Sequence, residues 1–423
     1  MTDTVAIDDL RIGMHIHLDL GWMAHPFPVS SFRIETQEQI QRLRALGIPR
    51  LRWSPSLSTT AAAPSAAAQA PTDVPALASA PSPADAAAQR RRLALQSQRA
   101  ALQQLQHRYG EVGCALAGAL ALVHSQPREA HRQAEVLAHG MADAILDADE
   151  LHIRSLPLMN GERSQAHALN SSVLSMLLAR ALDWPPPRVR ELGLGALLHD
   201  IGKLDLPARV HHAEDCRTAA EKQAWRDHVL LGVKRLRTMG ASAAVLQMVG
   251  QHHEQADGKG FPLSPAVGEI SPAAGIVALV NHWDNLCNPA PGAPATTPHE
   301  ALALLFAQHR HRHDGALLEA FVRMMGVYPA GSVVQLSDER FAVVTAVNPR
   351  RPLRPQLLVH DCGVPRDEAL LLDLEQQPGL SIRRSLQAAM LPAESFRYLM
   401  PRPRVAYYFD AERCLDTVAE VGT

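Results

Sequence analysis

The spacing of apolar positions divides the chain into four stretches of different texture. In the first, Met14, Ile16 and Leu18 alternate with polar residues, the period of a half-buried strand. Thr36 and Gln39 then make a capping-box pattern ahead of Ile40, Leu43 and Leu46 at helical spacing, and Gly47 marks the stop of that helix. These features predict a small α+β domain over residues 1–53. From Ser54 to Ala88 the chain is almost only Ala, Pro, Ser and Thr. Such a segment buries too little apolar surface to offset its chain entropy, so residues 54–88 are expected to form a disordered linker. From Gln89 to Gly326 the spacing reads helical throughout. Leu93, Leu95, Leu102 and Leu105 open a long helix expected to reach the break at Ser125 to Pro127, and a second is expected from Ala130 to Ala148. Beyond Tyr328 the β-prone runs Val333-Val334 with Leu336, Phe341 to Val347, and Leu357-Leu358-Val359 predict a small β-rich domain over residues 327–423. Ser337-Asp338 supplies the first turn. The expected fold class is mainly α: an all-helical domain over residues 89–326 between a small α+β domain and a β-rich region.

Composition narrows the functional classes. At 423 residues with 47% hydrophobic content, the chain is long enough for two or three domains. A net charge of −2 gives no electrostatic footprint for duplex nucleic acid or an anionic membrane surface. No apolar run reaches the roughly 18 residues of a membrane span, and Cys114 to Val123 reads as a buried helix segment. Met1 to Leu20 lacks the basic and apolar regions of a signal peptide. Cys114, Cys216, Cys287, Cys362 and Cys414 show no paired spacing and read as free thiols in a reducing compartment. The expectation is a soluble cytoplasmic protein. Its unusual count is 21 histidines.

The informative ones lie between His167 and Asp284: His167, the pair His199-Asp200 with Lys203, His228, the pair His252-His253 with Glu254, then Asn281 and Asp284. Each histidine falls on the apolar phase of its own helical segment. One inward imidazole is ordinarily a core histidine, but five of them converging with an aspartate need partners, and divalent metal satisfies all at once. Imidazole suits Mn, Fe and Zn, and a carboxylate between two ions offsets part of their charge. Two ions about 3.5–4 Å apart can clamp the oxygens of an in-line displacement at phosphorus. Lys203 follows Asp200 by about one helical turn, within reach of a phosphate docked there.

Leu197-Leu198-His199-Asp200-Ile201-Gly202-Lys203 resembles the core of HD-superfamily phosphohydrolases. His252-His253-Glu254-Gln255-Ala256-Asp257-Gly258-Lys259-Gly260-Phe261-Pro262 resembles the H-H-E-x-x-D-G-x-G-Y-P signature of HD-GYP domains, with Phe261 in place of the tyrosine. The resemblance covers about residues 130–326. The first fifty residues are similar to the small domain often found ahead of HD-GYP domains in proteobacteria, through Leu10-Arg11-Ile12-Gly13-Met14 and Gly47-Ile48. The resemblance implies a bacterial second-messenger phosphodiesterase with two divalent transition-metal ions, iron or manganese, hydrolysing cyclic di-GMP to pGpG or GMP. Carried over residue by residue, His167, His199 and Asp200 bind the first metal. Asp200 bridges to a second, held also by His228, His252 and His253. Lys203 contacts phosphate, and Asp257, Gly258 and Gly260 shape a loop beside the pocket. Glu254 is either an orienting partner for a histidine or a solvated helix-end glutamate.

Three departures stand out. The family's A-D-x-x-D-A-L segment is Val280-Asn281-His282-Trp283-Asp284-Asn285-Leu286 here, so the ligand aspartate aligns with Asn281, a candidate metal ligand whose amide oxygen can still coordinate but brings no charge. His282 and Asp284 lie elsewhere around or along that helix. The arginine that usually follows is absent, Asn288-Pro289-Ala290-Pro291 standing there instead. Arg163 occupies the position of the glutamate that gives some relatives a third metal, so two metals are expected at most. These departures keep a second reading open, a degenerate module that binds cyclic di-GMP or a partner with little turnover. A phosphohydrolase acting on another nucleotide is a third. A long helix from about Arg90 offers a surface for a homodimer or a signalling partner, without a sustained heptad.

Overall fold

The computed structural model describes residues 3–18, 31–34, 36–45, 48, 50–54, 58, 83–156, 163–211, 218–264, 268–289, 296–401 and 404–412. The chain divides into two compact units, Met1–Ala80 and Pro81–Thr423. In the first, β1 (Asp3–Ala6), β2 (His15–His17), β3 (Ser31–Arg33) and β4 (Arg50–Trp53) form an antiparallel sheet in the order β1-β4-β2-β3, beside α1 (Gln37–Ala45). Ile16, Ile34, Ile40 and Leu43 fill its core. The capping box forms: Gln39 N donates to Thr36 Oγ1 at 3.3 Å and Thr36 N to Gln39 Oε1 at 3.2 Å. Leu46 and Gly47 lie outside the described residues, as do residues 59–82 of the expected linker.

The second unit opens with α2 (Pro83–Ala121), so helix begins inside the stretch expected to be linker; Gln89 is already its seventh residue. Along Cys114 to Val123 the burial is partial, with Leu116 buried and Cys114 exposed. Then come α3 (Pro127–Leu146), β5 (Glu150–Leu156), α4 (Arg163–Ala181), α5 (Pro186–Leu197), α6 (Ala219–Arg226), α7 (His228–Met239), α8 (Ala243–Gln251), α9 (Pro272–Cys287), α10 (Pro298–Ala307) and α11 (Gly315–Met325). The chain continues through β6 (Val333–Leu336), β7 (Phe341–Val347), β8 (Gln356–Val359), β9 (Leu372–Asp373), β10 (Ile382–Leu386), α12 (Ala393–Leu399) and β11 (Ala406–Glu412).

Helix α4 is the hub, buried without interruption from Ala168 to Ala179 and packed by α3, α5, α9, α11 and β11. Two sequence expectations are corrected here. The stretch 89–326 is not helical throughout, because β5 interrupts it. The β-rich tail is not a separate domain either, since β5 joins its sheet, ordered β10-β6-β7-β5-β11 with β8 on β7. β5 pairs with β11 along its whole length, from Glu150↔Glu412 to Leu156↔Ala406, and Arg154 Nε binds Asp410 Oδ2 at 2.9 Å. Tyr407 of β11 is fully buried against Trp283 of α9, so the tail completes the helical core. No helix among the described residues is long and apolar enough to cross a membrane.

Candidate metal centre

Of the candidate histidines, His167 lies inside a helix, near the start of α4, and His228 is the first residue of another. His199 follows the end of α5, His228 opens α7 directly after α6, and His252-His253 follow α8. The expectation of five side chains within their own helices is thus corrected for His199, His252 and His253, which stand just past their helix ends. The positions have a common physical logic. The last carbonyls of a helix have no intrahelical donor, and an imidazole three residues on can use one. His199 Nδ1 donates to Ala196 O at 2.7 Å, His252 Nδ1 to Val249 O at 2.7 Å, and His228 Nδ1 to Trp225 O. A carbonyl only accepts, so each Nδ1 carries the proton and each Nε2 is a bare lone pair. His167 reaches the same tautomer differently, donating Nδ1–H to Asp284 Oδ2 at 2.6 Å.

These four Nε2 atoms face each other in two pairs: His167 and His199 at 3.2 Å, His228 and His252 at 3.3 Å. Asp200 lies between the pairs. Its Oδ2 is 3.4 Å from His199 Nε2 and 3.6 Å from His167 Nε2, and its Oδ1 is 3.4 Å from His228 Nε2 and 3.8 Å from His252 Nε2. One carboxylate oxygen thus serves each pair. His253 joins the second set, its ring stacked on Phe261 with centroids 4.5 Å apart. In the sets Asp200–His228–His252–His253 and His167–His199–Asp200, the ligand atoms lie within 4.8 Å of one another.

The donor chemistry fits metal. Two bare nitrogens at such distances repel, and a cation between them converts repulsion into coordination. Asp200 Oδ1 and His253 Nε2 are buried with no hydrogen-bond partner, a cost that coordination would remove. Burial, with smaller contributions from neighbours, pulls His199 down to about 4 and His228 and His252 to about 3, and His253 also well down, so all four are neutral ligands at neutral pH. Burial alone would raise Asp200, but Lys203 and the surrounding imidazoles hold its carboxyl well below the usual range, and it remains an anion. Lys203 Nζ donates to Asp200 Oδ2 at 2.6 Å.

Gly202 explains how the His199–Lys203 turn reaches α7: a Cβ there would stand 1.9 Å from His228 O and 2.5 Å from Gly232 N. In the following loop, Gly258 has φ +72° and Gly260 packs with no room for a side chain, a Cβ falling 2.4 Å from Gln255 N. Asp257 Oδ1 accepts from Lys259 N at 3.1 Å, and its Oδ2 lies 3.6 Å from His311 Nε2. Glu254 is neither a histidine partner nor solvated. It is 2% exposed and accepts from Leu263 N at 2.7 Å and Ser264 N at 3.2 Å, clamping the far end of the loop.

Asn281 is buried, and its amide oxygen accepts from Asn285 Nδ2 at 2.7 Å; among the described residues no hydrogen bond joins it to the histidines. His282 points away, stacked on His309 with Nδ1 2.9 Å from His313 Nε2. Sequence reasoning missed Asp284 as the partner of His167, and Trp225, whose ring packs on His228, His253 and Phe261. The i−3 relation of each helix-end histidine to a carbonyl was the signal available for the tautomers.

Residues 151–317 match the HD domain family, and residues 3–134 match a domain of unknown function, DUF3391. A cyclic di-GMP phosphodiesterase of Pseudomonas aeruginosa is 31% identical over 368 residues, 85% of this chain and 85% of its own. A cyclic di-GMP phosphodiesterase response regulator of Xanthomonas campestris is 32% identical over 152 residues, 35% of this chain and 39% of its own. A 3'3'-cGAMP-specific phosphodiesterase of Vibrio cholerae is 24% identical over 178 residues, 41% of this chain and 40% of its own. With a likeness to the Pseudomonas enzyme that spans most of both chains, and with the two-sided histidine set around Asp200, this chain belongs to the HD-GYP family of phosphodiesterases, its HD domain following a DUF3391 domain.

Proposed function

We propose that this protein hydrolyses the phosphodiester bonds of cyclic di-GMP, giving pGpG and GMP, at a centre that takes two divalent ions, iron or manganese. The observation that carries the reading is the placement of Asp200, with one oxygen toward each histidine pair. His167 and His199 would hold one ion, His228, His252 and His253 the other, and Asp200 both. When bound, such a pair supplies Lewis-acid charge and an acidified water for attack on a phosphodiester.

The chain's own residues provide the rest. Lys203, beside Asp200, is the cation placed to turn toward a docked phosphate once Asp200 is shared by metal. The loop at Asp257, Gly258 and Gly260, tied back to His253 by Phe261 N donating to its carbonyl at 3.2 Å, would shape the approach on that side. Phe261 and Trp225 pack their aromatic rings against His253, with centroids 4.5 and 5.2 Å away.

Chromatography of cyclic di-GMP incubated with manganese-loaded protein tests this. Linear pGpG and then GMP should accumulate with wild type and not with Asp200→Asn. The likeness to the Vibrio enzyme makes 3'3'-cGAMP the competitor to run beside it. Faster turnover of that dinucleotide, or none of either, would refute the proposed substrate.

A further inference from the structure

Asp284 is 1% exposed, and among the described residues neither lysine nor arginine forms an ion pair with it. Its charge is felt around it: after burial itself, Asp284 contributes to raising the Cys287 thiol and the Tyr407 hydroxyl. A bare buried carboxylate is costly, and this one is held by three side-chain hydrogen bonds. Oδ2 accepts from His167, and Oδ1 accepts from Asn170 Nδ2 at 2.7 Å and Asn288 Nδ2 at 2.9 Å.

The two amides do not end there. Each also donates to the carbonyl of Val405, Asn170 at 3.1 Å and Asn288 at 2.9 Å. Their own oxygens accept backbone N–H groups from the same segment, Asn288 Oδ1 from Val405 at 2.8 Å and Asn170 Oδ1 from Tyr407 at 2.7 Å. The orientation of both amides is fixed, because an amide oxygen cannot face a carboxylate. Val405 lies just before the β5–β11 ladder, which starts at Ala406↔Leu156, so its backbone polar groups are free for the amides. Arg163 donates to the Asn288 carbonyl at 2.9 Å and pins that end of α9 to α4.

We propose that the C-terminal strand is a working part of the metal centre: through Asn170 and Asn288, β11 positions Asp284 and thereby sets the metal affinity of the His167–His199 subsite. This rests on the two-ion reading above. Asn170 and Asn288 are positioning residues. They act through Asp284, which fixes the His167 tautomer and makes its Nε2 a better donor. Among the described residues the second subsite has no such link: helix-end carbonyls orient His228 and His252, and His253 stacks on Phe261. A displacement of Val405 therefore acts on one ion and leaves the other.

The test is calorimetric manganese titration of the full chain after metal removal, with the melting midpoint of each stripped protein measured alongside. Wild type should take two ions. Asn288→Ala should keep one at wild-type affinity and bind the other roughly 10–100-fold more weakly, the usual effect of losing an outer partner. Arg190→Ala, which removes the Asp143 ion pair between α5 and α3 and leaves β11 and both amides intact, should keep both ions at wild-type affinity even if its midpoint falls further. If Asn288→Ala does not fold, Asn288→Ser is titrated instead, with the same expectation. Two ions at wild-type affinity in the Asn288 variant would overturn the proposal, as would equal weakening of both. Wild type taking up no ion would remove the two-ion reading itself.

Discussion

At the scale of single residues, an imidazole is a prepared ligand when one nitrogen is pinned and the other bare, and four histidines here meet that condition by donating Nδ1–H to a carbonyl or carboxylate oxygen. Asp200 then decides whether the two halves act together. Asp200→Ala should abolish binding of both ions, because their mutual repulsion loses its shared anion; elemental analysis showing undiminished metal would exclude the bridge. Asn281→Asp puts a carboxylate at the position that the family resemblance gives to a ligand and should raise manganese occupancy, measured by titration, with unchanged occupancy showing that position 281 is no ligand. Much of this was legible in the sequence. The order of His167, His199-Asp200, His228 and His252-His253 named the set, because metal chemistry restricts residue types so strongly. Asp284 was visible only as an aspartate one turn from Asn281, and its bond to His167 joins residues 117 apart in the chain, which no local spacing discloses.

At the scale of elements, the centre is built from helix ends brought close by glycines. Gly202→Ala would force a methyl group into the His228 carbonyl, so it should destabilise the fold by about 3 kcal/mol or more, read as a fall in the urea midpoint, and should move His228 off Asp200. Glu254→Ala leaves two loop N–H groups without acceptors and should cost about 1–3 kcal/mol. Protease sensitivity should then appear around Leu263 while metal content is kept; cutting elsewhere first would contradict the clamp. The helices, their caps and the tail strands follow from apolar period and turn residues. β5 does not. Leu151 and Ile153 alternate too briefly to outvote the helical stretches on either side, and the strand exists because β11, some 250 residues away, pairs with it. The same long-range pairing is why the tail read as a separate domain.

At the scale of the whole molecule, buried histidines make stability depend on pH. Burial is the leading cause that pulls His228, His252 and His282 down to about 3 and His199 and His313 to about 4. An unfolded histidine titrates near 6.5. Below about pH 6.5 the unfolded chain therefore binds protons that the folded chain refuses, and stability falls as pH falls toward those depressed values. Each such group contributes a slope of about 1.4 kcal/mol per pH unit. The melting midpoint of metal-stripped protein should drop steeply between about pH 6.5 and 5, and a flat profile there would show that these side chains are not buried as described. Metal, bound by the neutral form, should restore stability above that range. The most direct test of the central claim follows the initial rate of cyclic di-GMP hydrolysis as manganese is added back to stripped protein. Two ions sharing Asp200 predict little turnover up to one equivalent per chain and full turnover only as the second is filled. Full activity at one equivalent, or activity without metal, would contradict it.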